Sequence, residues 1–237
     1  MQGTKIKILS TRPVGKALIQ GAALHNIVIE EISFITTEKN INIVTGGEIE
    51  QLSKQSINAV FTSMNAVEAV KSFIQPPSSW KIFCIGNTTR KLAESIFGKK
   101  NIAATAGNAL HLAENIISDQ SIKKVYFFCG NQRRDDLPEK LTANNISVEE
   151  LIVYKTIQTP QKVTQQYDGI LFFSPSGVHS FFMKNAISYE TQLFAIGTTT
   201  ADALKPFSKQ DVIVADMPGK ENLIAKAIDY FSKTQVS

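Results

Sequence analysis

Short apolar runs alternate with longer amphipathic stretches along most of the chain. The runs are rich in β-branched and aromatic residues and contain few polar positions. They are IKILS, AVFTS, KIFCIG, VYFFCG, GILFFS and QLFAIG, and the stretches that follow them are 14–24, 65–74, 88–97, 134–144, 176–187 and 199–206. Strands that are apolar on both faces and alternate with helices are typical of a parallel sheet covered on both sides. The pattern predicts an α/β protein.

The pattern also repeats within the chain. Segment 59–73 resembles 169–182, and segment 80–94 resembles 192–204, with the same spacing between the two segments in each copy. A third match joins 18–35 to 137–154. Chance similarity among strand–helix units is the alternative, but such units alone do not produce a common spacing. We therefore predict a duplication that gives two similar lobes.

Two irregular segments, 36–57 and 155–167, occur at the same place in each repeat and are the predicted linkers. The second is rich in Gln and Thr and contains Pro160, which interrupts regular structure. Two lobes joined in this way would leave a cleft, and open α/β sheets bind ligands at the carboxyl ends of their strands. Whether the chain crosses between the lobes once or twice is open at this point.

Small and hydroxylated residues follow the predicted strands. They are Ser10-Thr11-Arg12, Thr62-Ser63, Gly86-Asn87-Thr88-Thr89, Gly130-Asn131, Ser174-Pro175-Ser176-Gly177 and Gly197-Thr198-Thr199-Thr200. Each precedes a predicted helix, whose first N–H groups and partial positive charge favour carboxylates or phosphates. Any one of these residues has a simpler interpretation as a helix N-cap. As a set they predict a donor-rich surface for a ligand with several anionic arms.

Charge and the amino-terminal segment narrow the classes of partner. The 237 residues carry a net charge of +4, and no basic run is longer than Lys123-Lys124 or Arg133-Arg134. That balance argues against nucleic acid as the ligand. The apolar run in MQGTKIKILSTRP is too short for a signal peptide or a membrane span. We therefore expect a cytoplasmic protein.

Common cofactor and metal motifs are missing from the sequence. Cys84 and Cys129 lie inside apolar runs, where a thiol behaves as a small core residue. His25, His111 and His179 are scattered singly, so no metal site is expected. Neither GxGxxG nor GxxxxGK[ST] nor GxSxG occurs, which disfavours a dinucleotide, a P-loop nucleotide and a hydrolase nucleophile.

Neighbouring charged residues are predicted to lie at the surface. The pairs Glu30-Glu31, Asp135-Asp136 and Glu149-Glu150 point apart at consecutive positions, so a dyad that shares a proton is disfavoured. Arg12, directly before Pro13, and Arg133-Arg134 are better placed for contact with an anion. An ordinary surface arginine is the alternative for both.

Several of these segments together resemble the uroporphyrinogen-III synthase family. The matching segments are TRP at 11–13, FTSMNAV at 61–67, IGNTTRKL at 85–92, FFCGNQRRDDLPEKL at 127–141, VYKT at 153–156, FFSPSGVHSF at 172–181 and IGTTTADAL at 196–204. They occur in the family's order, and CGN together with FFSPSG is the most specific part. The chain departs from common family forms at Arg90 and in CGNQRR, so no role is carried over to Arg90 or Arg133.

The resemblance implies two similar α/β lobes, each a parallel sheet flanked by helices, joined by two extended linkers. The first lobe would comprise 1–36 with 158–237, and the second 37–157. The family's substrate is hydroxymethylbilane, a linear tetrapyrrole with acetate and propionate arms on each ring. The reaction loses the terminal hydroxyl as water, and the far ring then attacks through its substituted carbon. A spiro intermediate follows, and the macrocycle closes with that ring inverted.

The resemblance also implies which residues act. Catalysis would be mostly positioning of a flexible chain, with an acid for the leaving hydroxyl. Tyr154 of VYKT is the implied catalytic acid, and a tyrosine packed at a linker is the alternative. The implied substrate-binding residues are Arg12, Thr62, Ser63, Asn65, Thr88, Thr89, Gly130, Asn131, Ser174, Ser176, Gly177, Thr198 and Thr199. Of these, Gly130, Asn131 and Gly177 would bind the carboxylate arms through their backbone N–H groups. We expect a monomeric lyase that needs no cofactor or metal and binds neither nucleic acid nor membrane.

Two functions from other classes fit part of the same pattern. A two-lobed protein that binds a small polyanion without chemistry would use the same fold and the same strand-end donors. A group-transfer enzyme for a sugar nucleotide or phosphate ester would need an acidic metal motif or a Gly-rich loop, and neither is found. Tyr154 and the CGN segment favour the synthase, because a binding protein needs neither.

Overall fold

The computed structural model describes residues 5–75 and 77–234. Two compact units are present, the first formed by 1–36 with 157–237 and the second by 37–156. The chain therefore crosses from one unit to the other twice, near Thr36 and near Ile157. None of the helices in the described part has the length and apolar character needed to span a membrane.

Strands and helices alternate through both units. In chain order the elements are β1 (Ile6–Ser10), α1 (Lys16–Ala23), β2 (Ile27–Glu31), β3 (Ile35–Lys39), α2 (Ile43–Ser53), β4 (Asn58–Phe61), α3 (Met64–Val70), β5 (Lys81–Ile85), α4 (Asn87–Phe97), β6 (Ile102–Ala106), α5 (Ala109–Ser118), β7 (Lys124–Gly130), α6 (Asp136–Ala143), β8 (Ser147–Gln158), β9 (Gly169–Phe172), α7 (Pro175–Phe182), β10 (Gln192–Ala195), α8 (Thr198–Leu204), β11 (Val212–Val214) and α9 (Lys220–Thr234). The prediction of an α/β fold is confirmed.

The first unit contains a sheet in the order β11-β10-β9-β1-β2, whose neighbouring strands are parallel. This is the doubly wound order 2-1-3-4-5 within the unit. Alternate residues of one strand face opposite sides of a sheet, so Ile8 packs toward α1 and α9 while Leu9 packs toward α7 and α8. Helices cover both faces, which explains why the strands are apolar throughout.

The second unit repeats this arrangement. Its sheet has the order β3-β8-β7-β4-β5-β6, and the last five strands correspond in position to β2-β1-β9-β10-β11. The register agrees as well, because Asn58 pairs with Lys81 in β4 and β5, and the matching residues Gly169 and Gln192 pair in β9 and β10. The duplication predicted from the sequence is confirmed.

A backbone detail supports the third sequence match. Asn26 and Asn145, at the same place in the repeats 18–35 and 137–154, both have a φ of 60°. They are the described non-glycine residues with positive φ. Asparagine tolerates this left-handed conformation better than most residues because its side chain bonds locally. Both residues lie between a helix and the next strand, where the chain must turn sharply.

Aromatic residues fill the core of the second unit on one face of its sheet. Trp80 lies against Phe97 and Phe128, with ring centroids 5.5 and 5.1 Å away. Its indole N–H donates to the carbonyl of Leu52 at 2.8 Å, which satisfies the polar atom of a side chain that is 1% exposed. Trp80 is the one tryptophan of the sequence, so its fluorescence reports the packing of this unit.

The predicted linkers need correction. Segment 36–57 is not irregular, because it contains part of β3 and the whole of α2. Asn42 caps α2 by accepting from the backbone N–H of Thr45 at 2.9 Å, and Gly46 lets the helix approach Phe73. The two glycines in the middle of this segment hid the helix from the sequence pattern. Segment 155–167 is irregular only from 159, because β8 continues to Gln158.

Candidate active site

The predicted site residues lie at the carboxyl ends of the strands within each unit. In the first unit they follow β1, β9 and β10, and in the second they follow β4 and β5 or lie at the end of β7 and in β8. Because the paired strands of these ends are parallel, each unit carries its predicted residues along one edge of its sheet. The first unit holds Arg12, Ser174, Ser176, Gly177, Thr198 and Thr199, and the second holds Thr62, Ser63, Asn65, Thr88, Thr89, Gly130, Asn131 and Tyr154.

Tyr154 lies on β8 beside the end of β7 and is half-buried against the aromatic core of the second unit. It lines a cavity of about 90 Å³ together with Asn65 and Glu68 of α3 and Lys39 of β3. A water molecule occupies ~30 Å³ in the liquid, so the space suits a few waters or one small polar group. A tyrosine at the wall of a small cavity that charged and amide side chains also line is placed to exchange a proton with a group that enters it.

Serine residues cap α3 and α7, the helices that follow the matching strands β4 and β9. Ser63 accepts from the N–H of Asn65 at 3.2 Å, and Ser174 accepts from the N–H of Gly177 at 3.1 Å. Both serines have the extended backbone expected of an N-cap. The simpler interpretation is confirmed for these two residues. The prediction that the N–H of Gly177 binds a substrate carboxylate needs correction, because the cap already uses that N–H.

Helices α4 and α8, which follow the matching strands β5 and β10, begin without a side-chain cap. Gly86 and Gly197 are the N-caps of α4 and α8, and neither offers a side-chain oxygen to the first turn. Gly86 has a φ of 77°, a conformation that favours glycine. The first turn of α4 therefore keeps backbone N–H groups that no cap side chain occupies, next to the exposed side chain of Thr88.

Helices α4 and α8 each carry two consecutive threonines at matching positions, and the two differ in exposure. Thr88 and Thr199 are matching, exposed residues, whereas Thr89 and its counterpart Thr200 are 6% and 3% exposed. The prediction that Thr89 binds substrate needs correction, because its side chain points into the packed interior of the unit. Thr198 is exposed at the first position of α8. Exposed hydroxyls at these helix starts are Thr88, Thr198 and Thr199.

A cationic corner marks the end of β1. The guanidinium of Arg12 lies over the ring of Phe173, 5.5 Å from its centroid. Burial of the charged group lowers the pKa of Arg12, although the residue as a whole is exposed. Burial and then the positive charge of Arg12 lower the pKa of Lys220 at the start of α9. The carboxylates of Glu221 and Glu31 oppose that shift in part, and a further anion at this place would stabilise the charged forms of both Arg12 and Lys220.

Glu31 has a role that the sequence did not reveal. Its carboxylate accepts from the backbone N–H of Val14 at 2.6 Å and of Gly15 at 3.2 Å, which fixes the loop between β1 and α1. The sequence interpretation of Glu30-Glu31 as solvated surface is therefore incomplete. The sequence feature that could have indicated this role is the position of Glu31 at the end of β2, the strand beside β1.

The two arginines without a carried-over role both form ion pairs. Arg90 donates to Glu94 one turn along α4, at 2.8 Å. Arg133 pairs with Asp135 and with Glu150 of β8, and the bond to Glu150 is the main reason that its pKa is raised. Arg133 therefore ties the segment after β7 to the neighbouring strand.

The segment Gly130-Asn131 is also bonded to β8. The N–H of Asn131 donates to the carbonyl of Tyr154 at 3.2 Å, and the side-chain oxygen of Asn131 accepts from the N–H of Thr156 at 2.9 Å. The prediction that the backbone N–H of Asn131 holds a substrate carboxylate needs correction, because that donor is already paired. Gly130 contacts the ring of Tyr154 directly.

A second cavity lies at the opposite edge of the first sheet. It has a volume of about 350 Å³ and is lined by Tyr189, Lys209, Gln192 and Asp211 among others. Gln192 begins β10 and Asp211 precedes β11, so this cavity is at the amino ends of the strands. Because ligands of open α/β sheets bind at the carboxyl ends, we place the active site at the other edge despite this cavity's larger volume.

The cysteines and histidines form no cluster for a metal. Cys84 and Cys129 are free and buried, as the sequence predicted, and burial is the main cause that raises the pKa of each thiol. Across residues 5–75 and 77–234, no group of three or more His, Cys, Asp or Glu side chains is arranged to hold a metal ion.

The family model described as uroporphyrinogen-III synthase HemD matches residues 27–225. A curated uroporphyrinogen-III synthase from Schizosaccharomyces pombe is 24% identical over 193 residues, which covers 76% of this chain and 73% of that protein.

Solved structures show the same fold. The uroporphyrinogen-III synthetase of Helicobacter pylori has a TM-score of 0.69 at 15% identity and covers 95% of this chain and 99% of its own. A mutant uroporphyrinogen III synthase of Thermus thermophilus has a TM-score of 0.66 at 12% identity and covers 98% and 100%. Since the family model spans most of the chain, this protein belongs to the uroporphyrinogen-III synthase family, enzymes of the lyase class in haem biosynthesis.

Proposed function

We propose that this protein converts hydroxymethylbilane into uroporphyrinogen III, with loss of water and inversion of the last pyrrole ring. Family membership over residues 27–225 carries the assignment of the reaction. The alternative of a polyanion-binding protein without chemistry is not favoured. That the enzyme is a cytoplasmic monomer, free of cofactor and of nucleic-acid or membrane partners, stays a prediction from the sequence.

The carboxylate arms of the substrate bind at the strand ends in this proposal. The cationic pair Arg12 and Lys220 supports binding of one arm in the first unit, and the uncapped first turn of α4 with Thr88 supports another in the second. The exposed hydroxyls of Thr198 and Thr199 supply further donors. Thr62, Asn65 and Ser176 lie along the same edges of their sheets, so their side chains complete the two sets. Ser63 and Ser174 accept through their oxygens as caps, and their hydroxyl hydrogens can still be donated to an arm. Several weak anchors hold a flexible tetrapyrrole in a reactive conformation better than one strong anchor does.

Tyr154 acts as the acid for the leaving hydroxyl. The phenol O–H gives its proton to the hydroxymethyl oxygen while the C–O bond breaks, and electrons from the adjacent pyrrole nitrogen complete the azafulvene. The substituted carbon of the far ring forms a new C–C bond and becomes a spiro centre, and the bond from that carbon to its former methylene then breaks. The freed methylene closes on the unsubstituted α-carbon of the same ring, and the proton lost from that carbon as the pyrrole regains its aromaticity restores the phenol. No electron is gained or lost overall, and water is the one by-product. The position of Tyr154 on the wall of the small cavity that Asn65 and Glu68 also line is the observation that supports this role.

The test supplies purified protein with freshly generated hydroxymethylbilane, oxidises the products and separates the type I and type III porphyrin isomers. We expect type III in excess over a protein-free control. Tyr154→Phe is expected to lower kcat by about 10²- to 10⁴-fold, the range for loss of a general acid, with little change in KM. Tyr189→Phe is the matched control, because Tyr189 is 87% exposed and lies at the amino-terminal edge of the first sheet.

Two outcomes would contradict the proposal at different levels. Type I product alone, at the control rate and with folded protein, would refute the synthase assignment. Type III product at an unchanged rate from Tyr154→Phe would leave the synthase in place and remove Tyr154 as the acid.

A further inference from the structure

The pairing of β7 with β8 is irregular at the candidate acid. Cys129 pairs with Ile152, and the next residue, Gly130, pairs with Tyr154, so the register skips Val153. Such a bulge changes which side chain of the longer strand lies opposite its neighbour. In a regular ladder Val153 would lie opposite Gly130. The bulge instead places Tyr154 there.

Gly130 leaves room for the phenol end of that tyrosine. A methyl carbon added to Gly130 would lie 2.5 Å from Cζ and 2.9 Å from the hydroxyl oxygen of Tyr154. Two carbon atoms in contact prefer ~3.5–4.0 Å, so the ring would have to move by roughly 1 Å. The atoms that meet Gly130 are those that carry the hydroxyl. The glycine therefore fixes where that hydroxyl lies.

Further bonds tie the segment after β7 to β8 on both sides of Tyr154. Asn131 binds the carbonyl of Tyr154 through its N–H and the N–H of Thr156 through its side chain. Arg133 pairs with Glu150, four residues before Tyr154. These contacts tie the segment 130–133 to the strand that carries the tyrosine, before and after it.

The first unit has no counterpart of Gly130, Tyr154 and the bulge between them. Lys7 pairs with Val28 in β1 and β2 as Lys124 pairs with Ser147 in β7 and β8, so the positions that match Gly130 and Tyr154 are Pro13 and Ile35. Strand β1 ends at Ser10, before the position that matches Gly130. The first unit therefore forms the same arrangement of strands without a glycine at the position of Gly130, a tyrosine at that of Tyr154 or a bulge between them.

We infer that Gly130 and Asn131 are positioning residues for Tyr154: with the bulge of β8 opposite them, they set the phenol at the point where it meets the leaving hydroxyl. The inference rests on the proposed function. It gives the CGN segment a task different from the one implied by the family resemblance, in which its backbone N–H groups hold substrate. A positioning role predicts an effect on turnover, whereas substrate binding predicts an effect on KM.

The experiment measures kcat and KM for Gly130→Ala beside Gly47→Ala. Gly47 lies in α2 of the same unit, and a methyl group there would meet nothing within 4 Å. We expect Gly130→Ala to lower kcat by about 10²-fold with KM nearly unchanged, because a displacement of ~1 Å costs that much in a positioned reaction. Gly47→Ala is expected to leave both constants unchanged. Trp80 fluorescence during unfolding shows whether each variant is folded.

The Tyr154→Phe background separates positioning from binding. If Gly130 acts through the phenol, Gly130→Ala costs almost nothing once the hydroxyl has been removed, because effects within one catalytic unit are not additive. An equal loss in both backgrounds, or a rise in KM at constant kcat, would overturn the inference while the synthase and its acid remain. Full activity of Tyr154→Phe, or absence of type III product from the wild type, would overturn the inference and the proposed acid or function together.

Asn131 provides a second variant if Gly130→Ala does not fold. Asn131→Ala removes the acceptor for the N–H of Thr156, and we expect a fall in kcat. Asn131→Asp keeps an oxygen at that position and is expected to restore most of the turnover. Equal turnover in Asn131→Ala and the wild type would contradict the inference.

Discussion

Cys129 is the residue next to Gly130, and its thiol is buried in the core of the second unit at 1% exposure. Burial is the main cause that raises its pKa from 9.0 to about 12, with Glu150 adding to the rise and Arg133 opposing it. We predict that the thiol makes the stability of the protein depend on pH in the alkaline range. Cys129→Ala removes the titrating group and serves as the comparison.

The sign follows from the direction of the shift. A folded-state pKa above the unfolded value means that the contribution to stability is complete below pH 9.0 and is lost as the pH rises toward 12. At pH 10 the unfolded thiol is mostly ionised and the folded thiol is not, which favours unfolding by about 1.4 kcal/mol. At pH 8 the same term is under about 0.1 kcal/mol.

The assay is urea unfolding followed by Trp80 fluorescence at pH 8 and pH 10. Between these two conditions, the free energy of unfolding of the wild type should fall by about 1.3 kcal/mol more than that of Cys129→Ala. Cys84 and the other titrating groups are present in both proteins and cancel in the difference. A thiol reagent at pH 8 should inactivate the wild type no faster than the protein unfolds, because only the thiolate reacts.

Two results would refute this reasoning. The same change in stability for both proteins would mean that the Cys129 thiol ionises equally in the folded and unfolded states. Rapid labelling of Cys129 in folded protein would mean that the end of β7 opens readily, contrary to the packing and the bonds that hold it to β8.

The remaining predictions concern local structure. Ser174→Ala removes the cap of α7 and should lower the free energy of unfolding by about 1 kcal/mol, measured by circular dichroism in urea; no loss would mean that the bond to Gly177 contributes nothing. Asn26→Ala and Asn145→Ala should each cost about 1 kcal/mol, whereas glycine at either position should cost much less, because only alanine is strained at positive φ. The free energies of unfolding of the two alanine and the two glycine variants test this. Unequal costs at Asn26 and Asn145 would argue against equivalent turns.

Much of the fold followed from the order of residues. The apolar runs gave the central strands, and the common spacing of the two repeats gave the duplication that the registers of β4 with β5 and β9 with β10 confirm. The pattern missed α2 because Gly46 and Gly47 weaken its helical signal, and only packing against Phe73 explains why a glycine is useful there. It also missed β6 and β11, which lie at the edges of their sheets; β11 is three residues long, and β6 consists mostly of small residues.

The candidate site was predictable as a region more than as a set of contacts. Ser63 and Ser174 followed from local capping chemistry, because a cap and its N–H lie within three residues. Thr88 and Thr89 were indistinguishable by sequence, and only the orientation of α4 on its sheet buries one and exposes the other. The partners of Arg133 and Asn131 on β8 were likewise invisible, since they lie 17 and 25 residues away along the chain.

The sequence by itself determined the class of fold, the edge of each sheet that carries the donors, and the family, because these depend on periodicity and on short motifs. Tertiary structure decided which donors remain available and what holds Tyr154. The register of β7 with β8 is fixed by pairing between strands that are distant in the chain, and no local pattern encodes the residue that it skips. The place of the candidate acid opposite Gly130 therefore exists only in the folded protein.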